Sequence, residues 1–308
     1  MPFALTKAVL GCGLFVDISE EEYWAINDSK SCLFEALYLE QKLDIVIEDY
    51  IEFEMELLAS STRQMVNRNQ DYSWFQIEGN KINRRIVNLL SACKLYLDHS
   101  MHHLSNIYGD KSEHIESINK IRSQEYDSKL GYRVMEAMRN YVQHRGFPIH
   151  KWTYNSKRIE KQDKNQLLFT LTPLIKIQQL QEDRKFKKSV LMEIEKIGAE
   201  IDCKPLIREY VSGIATVHEN IRTIVQKDVL NWEKTLFTSI DRFKEKISPE
   251  ESIIGLSAVI TEDQGTYSGI VPLFSEFIEH RRELEKKNKT LKNLGIRFVT
   301  SEIIKKDA

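Results

Sequence analysis

A chain of 308 residues with 42% hydrophobic side chains carries enough apolar material for a packed core. Its 44 Lys and Arg against 46 Asp and Glu leave a net charge of −2 at pH 7, which excludes a chain-wide basic field for coating nucleic acid, so contact with RNA or DNA has to be local. Cys12, Cys32, Cys93 and Cys203 form no C-x-x-C pair, which argues against a zinc knuckle or a disulfide framework and fits a reducing cytoplasm.

The opening MPFALTKAVLGCGLFVDISEEEY has some features of a signal peptide, including a lipoprotein-like VLGC. Its apolar run is short and turns acidic from Asp17 to Glu22, so we read it as a poor export signal. No later apolar run is long enough to span a bilayer, and no membrane partner is expected.

Beyond it, helix-forming residues with apolar side chains three and four apart dominate. A first long helix is expected from about Lys30 to Met65, with Ser29 as a cap, followed by an irregular NRNQDYSWFQIEGN connection. A second is expected from about Lys81 to Ile107, with Ile82, Ile86, Leu89, Leu90, Cys93 and Leu97 on one face. A third helical region, from about Glu113 to Arg145, is expected to break near Gly131. Gly146, suited to the left-handed position after a helix, and Pro148 should close it.

HKWTYNS and QLLFTLTPLI, separated by the polar KRIEKQDKN, predict a β-hairpin between about His150 and Ile175. Helical patterning returns from Gln181 and includes GIVPLFSEFIEHRRELEKK; the tail IRFVTSEII is read as a strand closing onto the hairpin. The expected fold is therefore mainly α: a helical bundle over residues 1–148, then a small β-hairpin and a second helical region over 149–308. No fixed-period repeat interrupts this plan.

The stretch MEAMRNYVQHRGFP concentrates polar chemistry at a helix end. Leu130, Val134, Met138 and Tyr141, flanked by Met135 and Val142, form an apolar stripe that leaves Arg139, Asn140 and His144 outside it. Asn140 and His144 stand i,i+4, a spacing that allows a hydrogen bond to orient the imidazole. Arg139 lies about 140° round the helix from His144, but its stem can carry the guanidinium across the surface. A planar cation beside a group that titrates near neutral pH suits a phosphate. Spacing alone is weak support, since about one Arg-x(4–6)-His match is expected by chance. A second match, Arg145 to His150, is set aside because Gly146 and Pro148 break the helix between its members.

Carried by RNYVQH, with NLLSACKLYLDH as the preceding helix, the segment from about Lys30 to Pro148 resembles the HEPN superfamily of helical-bundle proteins. Their Arg-polar-x(3–5)-His motif, near the end of a bundle helix, forms a metal-independent ribonuclease site, commonly at a dimer interface. The resemblance implies catalytic roles for Arg139, Asn140 and His144, an RNA substrate, and no cofactor or metal. It also implies a homodimer through the motif-bearing helices, and an antitoxin or regulatory protein as a further partner in toxin–antitoxin or phage-defence settings. The implied reaction is attack by the 2′-OH on phosphorus, leaving a 2′,3′-cyclic phosphate. The rival from another class is a non-catalytic helical binding or scaffold protein in which Arg139 and His144 only make structural bonds.

Other features weigh less. Asp98, His99, His102 and His103 place two histidines i,i+4, but two histidines are not a metal site. RKFKK at Arg184 to Lys188, and HRRELEKKNK from His280, are expected to be solvated faces rather than RNA contacts. Trp74, Trp152 and Tyr154, expected in non-helical segments, are candidates for base stacking, with packing of the hairpin onto the bundle as the commoner role.

Overall fold

Ser19 starts the longest helix by a reciprocal cap: its hydroxyl accepts the backbone N–H of Glu22 at 3.1 Å while the Glu22 carboxylate accepts the backbone N–H of Ser19 at 2.7 Å. The helix thus begins ten residues before the expected start, and Ser29 is a buried interior residue rather than a cap. Glu20, Glu21 and Glu22, the end of the acidic run that follows the apolar opening, form its first turn, where carboxylates favour the positive helix end.

The computed structural model describes residues 2–8, 13–67, 71–161, 164–262, 266–289, 291, 293–297 and 299. In chain order the elements are β1 (Phe3–Lys7), β2 (Val16–Asp17), α1 (Glu20–Val66), α2 (Tyr72–Tyr108), α3 (Glu113–Ser128), α4 (Leu130–His144), β3 (Lys151–Lys161) and β4 (Lys164–Lys176). They continue as α5 (Ile177–Gln181), α6 (Lys188–Glu195), β5 (Glu200–Asp202), α7 (Cys203–Lys244), β6 (Leu256–Thr261), β7 (Tyr267–Pro272) and α8 (Glu276–Lys287), with a 3-10 turn at Leu294–Ile296. The protein is mainly α with small antiparallel sheets, as its helical patterning predicts.

Two compact units are built from interleaved stretches of chain. The first comprises residues 1–44, 99–118 and 219–289; the second comprises 45–98, 119–218 and 290–308. Helices α1, α2, α3 and α7 contribute residues to both.

In the first unit the sheet order is β2-β1-β6-β7, all antiparallel, so the opening residues form an inner strand with Ala4, Leu5 and Thr6 buried. Neither this strand nor its partners were expected. GIVP, read as the start of a helix, lies in β7, and α8 begins only at Glu276. Bidentate pairing of Arg222 with Glu40, at 2.8 and 2.5 Å, and of Glu233 with both Arg281 and Arg282 satisfies the buried carboxylates of this unit.

The second unit packs the hairpin β3–β4 beside helical segments. The hairpin pairs in register from Lys151↔Leu174 to Lys161↔Lys164, and its third strand is β5, through Leu174↔Asp202, Ile175↔Ile201 and Lys176↔Glu200. The expected closing strand IRFVTSEII has no strand at Ile296, Arg297 or Val299, and its last residues lie outside those described. On α2 the six apolar residues expected on one face, Ile82, Ile86, Leu89, Leu90, Cys93 and Leu97, are all buried. The helix begins earlier than expected because Asp71 caps it, accepting the Trp74 backbone N–H at 2.8 Å, so Trp74 is helical and not part of an irregular connection.

Close approach replaces side chains where the hairpin meets α2. A Cβ on Gly79 would lie 2.2 Å from the Trp152 ring, so only glycine leaves room for that indole. Beside it, Ser60, Glu78 and Tyr154 share hydrogen bonds of 2.6 and 2.7 Å, and Arg63 and Lys81 bind the same carboxylate. Burial alone would raise the Glu78 carboxyl, but the bonds from Arg63, Lys81 and Ser60 outweigh it and hold the group below its ordinary value.

Candidate functional site at the end of α4

The third helical region breaks at Lys129, close to the expected Gly131. The break lets α4 approach α7 so closely that a Cβ on Gly131 would sit 2.4 Å from the Leu206 carbonyl oxygen. Arg133 fixes the turn: one guanidinium nitrogen donates to the Tyr126 carbonyl at 2.9 Å, capping the end of α3, and another reaches Glu193 on α6 at 2.6 Å. On the inner face Val134, Met135, Met138 and Tyr141 are buried as the stripe requires, joined by Tyr132 and Ala137.

This helix ends at His144, where the Arg145 backbone N–H returns to the Tyr141 carbonyl at 2.8 Å. Gly146 does not supply a left-handed cap, because its φ is not positive. It packs against Tyr141 instead, whose hydroxyl would lie 3.3 Å from an added Cβ.

Outside the stripe, Arg139 is half-buried while Asn140 and His144 are exposed. The guanidinium turns to its neighbour, Arg139 Nη1 donating to Asn140 Oδ1 at 3.2 Å. Among the described residues the expected Asn140–His144 bond is not formed, and Arg139 Nε is buried with no hydrogen-bond partner. Asn140 therefore orients the cation rather than the imidazole.

Asn140 and His144 open into a cavity of about 290 Å³, which Arg139 does not line. Its other walls include Tyr126 from α3 and Lys185, Phe186 and Lys187 from the turn between α5 and α6. The turn is braced: Phe186 is buried with its ring edge-on to Tyr141 at 6.2 Å, its N–H bonds the Asp183 carbonyl at 3.0 Å, and the Lys185 N–H bonds the Asp183 carboxylate at 3.1 Å. The stretch RKFKK, expected to be a solvated helix face, is thus mostly a structured turn that puts two exposed lysines in the wall of the same cavity as the motif histidine. Its tertiary placement could not be read from charge spacing.

Six residues beyond His144, His150 has a different environment. Its Nδ1 accepts the Lys176 backbone N–H at 3.2 Å, which assigns the proton to Nε2, facing the Tyr141 hydroxyl at 3.3 Å. Burial, then the nearby Lys176 charge, lowers its pKa to about 4. The preceding residue is held too, since Asn83 Oδ1 accepts the Ile149 N–H at 3.0 Å. Thus His150 joins the end of α4 to the hairpin.

Trp74 and Tyr154 rings meet at 5.1 Å and Trp152 covers Gly79, so these aromatics pack the hairpin against helix. In the first unit His103 Nδ1 pairs with Glu35 at 2.6 Å, and the rings of His99 and His102 stand 6.2 and 5.8 Å from it. Among the described residues no group of three or more His, Cys, Asp or Glu is disposed to hold a metal ion. The basic run from His280 is engaged through Arg281 and Arg282 with Glu233. Of the described helices, none is long and apolar enough to cross a membrane.

Comparison with protein-family models, with curated proteins and with solved structures gives no match for this chain.

Proposed function

We propose that the chain is a HEPN-type, metal-independent endoribonuclease that cleaves RNA by 2′-OH attack and leaves 2′,3′-cyclic phosphate ends. The observation that carries this reading is the exposed His144, at the end of a helix rigidly held by Arg133 and Tyr141, opening with Asn140 into a cavity edged by two lysines. In this reading His144 moves the proton between the attacking 2′-OH and the leaving 5′ oxygen, a role worth about 10²–10⁴-fold in rate. Arg139, steadied by Asn140, stabilises charge growing on the phosphoryl oxygens. The guanidinium is turned toward Asn140 and does not line the cavity, so this role requires it to turn toward the phosphate when RNA binds. A two-fold pairing of α4 helices would set one histidine as base against the other as acid. A cytoplasmic setting, a regulatory or antitoxin partner and a role in phage defence belong to the same proposal, as does a boundary after Pro148.

The test is incubation of the purified chain with total RNA in EDTA beside the His144→Ala variant. Fragments from the parent protein and none from the variant are expected. Equal fragmentation by both, or none by either, sinks the reading, and the latter favours a binding or scaffold role.

A further inference from the structure

The geometry points to Lys185 and Lys187 as a phosphate-binding subsite that positions single-stranded RNA across His144. This inference rests on the ribonuclease reading and names residues that the Arg-Asn-x3-His motif does not contain.

Three observations support it. First, Lys185 and Lys187 are both exposed and line the same cavity as Asn140 and His144. At about 290 Å³ the cavity is at the small end of ligand-sized sites, which span roughly 300–1,000 Å³, and suits a single nucleotide rather than a folded element. Second, the turn that carries both lysines is braced and the Lys187 side chain is held in place. Phe186 between them is buried, Asp183 closes the turn, and the Lys187 ammonium stands 4.7 Å over the Tyr126 ring while donating to its hydroxyl. A cation held on a rigid turn loses less entropy on binding phosphate than one on a free helix face. Third, the carboxylates in the cavity wall have protein partners: Asp183 accepts the Lys185 N–H, and Glu136 accepts the Tyr210 hydroxyl. The Lys187 ammonium donates to the neutral Tyr126 hydroxyl, so its charge is not cancelled there by a carboxylate and can serve an anion from outside.

Single-stranded RNA is the occupant that fits this chemistry. In-line attack by a 2′-OH requires a backbone free to rotate, and point charges such as lysine bind phosphate without demanding a base sequence. Lys185 and Lys187 then hold the phosphate next to the scissile one, while His144 faces the reacting linkage.

The experiment measures binding of a fluorescent, mixed-sequence, fully 2′-O-methylated oligoribonucleotide, which lacks the nucleophile and cannot be cut. Full-length parent, Lys185→Ala/Lys187→Ala, Lys185→Arg/Lys187→Arg and His144→Ala proteins are compared over a salt series. The alanine pair should bind about tenfold more weakly, and its salt slope should be shallower by about 1.4, as expected for losing two single-strand phosphate contacts at about 0.7 each. The arginine pair should bind like the parent, and His144→Ala should bind within about twofold of it. In parallel cleavage assays the alanine pair should raise KM with little change in kcat. Unchanged affinity and slope in the alanine pair would overturn the subsite while leaving the ribonuclease reading intact if the parent still cuts RNA. Lysine-dependent binding without any cleavage would uphold the subsite and overturn the nuclease. An absence of RNA binding by the parent would overturn both.

Discussion

The end of α4 and the splice that follows it each offer an arginine and a histidine five residues apart, and the structure treats them in opposite ways. In the helix, Arg139 and His144 project from the polar face, and His144 is exposed at a cavity mouth. In the splice, His150 accepts from the hairpin backbone and meets the Tyr141 ring, and burial keeps it neutral across most of the pH range. The same residue types at the same spacing are presented to solvent where a rigid helix carries them, and are packed for cohesion where the chain folds over them. Spacing nominates a site; the surroundings decide its use.

Several changes test that contrast. The largest effect is expected at the helix end: His144→Ala and Arg139→Ala should each cut the RNA cleavage rate by about 10² or more, as for loss of a proton-transfer group or a charge stabiliser. Circular dichroism should stay near that of the parent, because neither side chain is in the apolar stripe. Asn140→Ala should lose less, since it steadies Arg139 through one 3.2 Å bond; a loss as large as for His144 would mean that Asn140 touches the reacting atoms.

The next effect belongs to the splice and falls on stability. His150→Ala leaves the partly buried Lys176 N–H without its acceptor, which should cost about 1 kcal/mol, the low end for an unmet donor, to be read from urea unfolding. Cleavage per folded molecule should stay within a few-fold of the parent. If the His150 change abolished cleavage while the unfolding midpoint held, the two regions would have been assigned the wrong way round.

A pH series sharpens the same point. The His150 pKa is about 4 in the folded chain against an ordinary 6.5, so the unfolded chain takes up the proton first on acidification. Its contribution is full above about pH 6.5 and is lost as pH falls toward about 4, so the urea midpoint should decline over that window. His150→Gln should flatten that part of the decline, and an unchanged slope would contradict the burial of the ring. The last effect is expected far from both regions: Ser19→Ala should likewise cost about 1 kcal/mol through loss of the α1 cap, measured by the same unfolding assay.

Much of this could be read from residue order alone, wherever the information is local. The stripe on α4, the buried face of α2 and the hairpin follow from periodicities of 3.6 and 2. The cap Ser19-Glu20-Glu21-Glu22 was equally local but was masked by the apolar run before it, and Asp71 was hidden in a polar stretch that reads as a loop. The strands were harder. Phe3 pairs with Ile260, and no short window of sequence contains both ends of such a contact. The site divides in the same manner. Arg139, Asn140 and His144 are visible as a motif on one helix, whereas Lys185, Lys187 and Tyr126 reach the cavity only because Phe186 and Arg133 dock other elements around it.

The most direct test of the central claim is the chemistry of the cut ends. A susceptible oligoribonucleotide found in the total-RNA assay would be treated with the purified protein in EDTA, and the products weighed by mass spectrometry, beside a copy carrying 2′-deoxyribose at the cleaved position. The expected products carry 2′,3′-cyclic phosphate and 5′-hydroxyl ends, with no cleavage of the deoxy-substituted copy. Ends bearing 3′-hydroxyl and 5′-phosphate, a need for magnesium, or undiminished cleavage of the deoxy-substituted copy would contradict it.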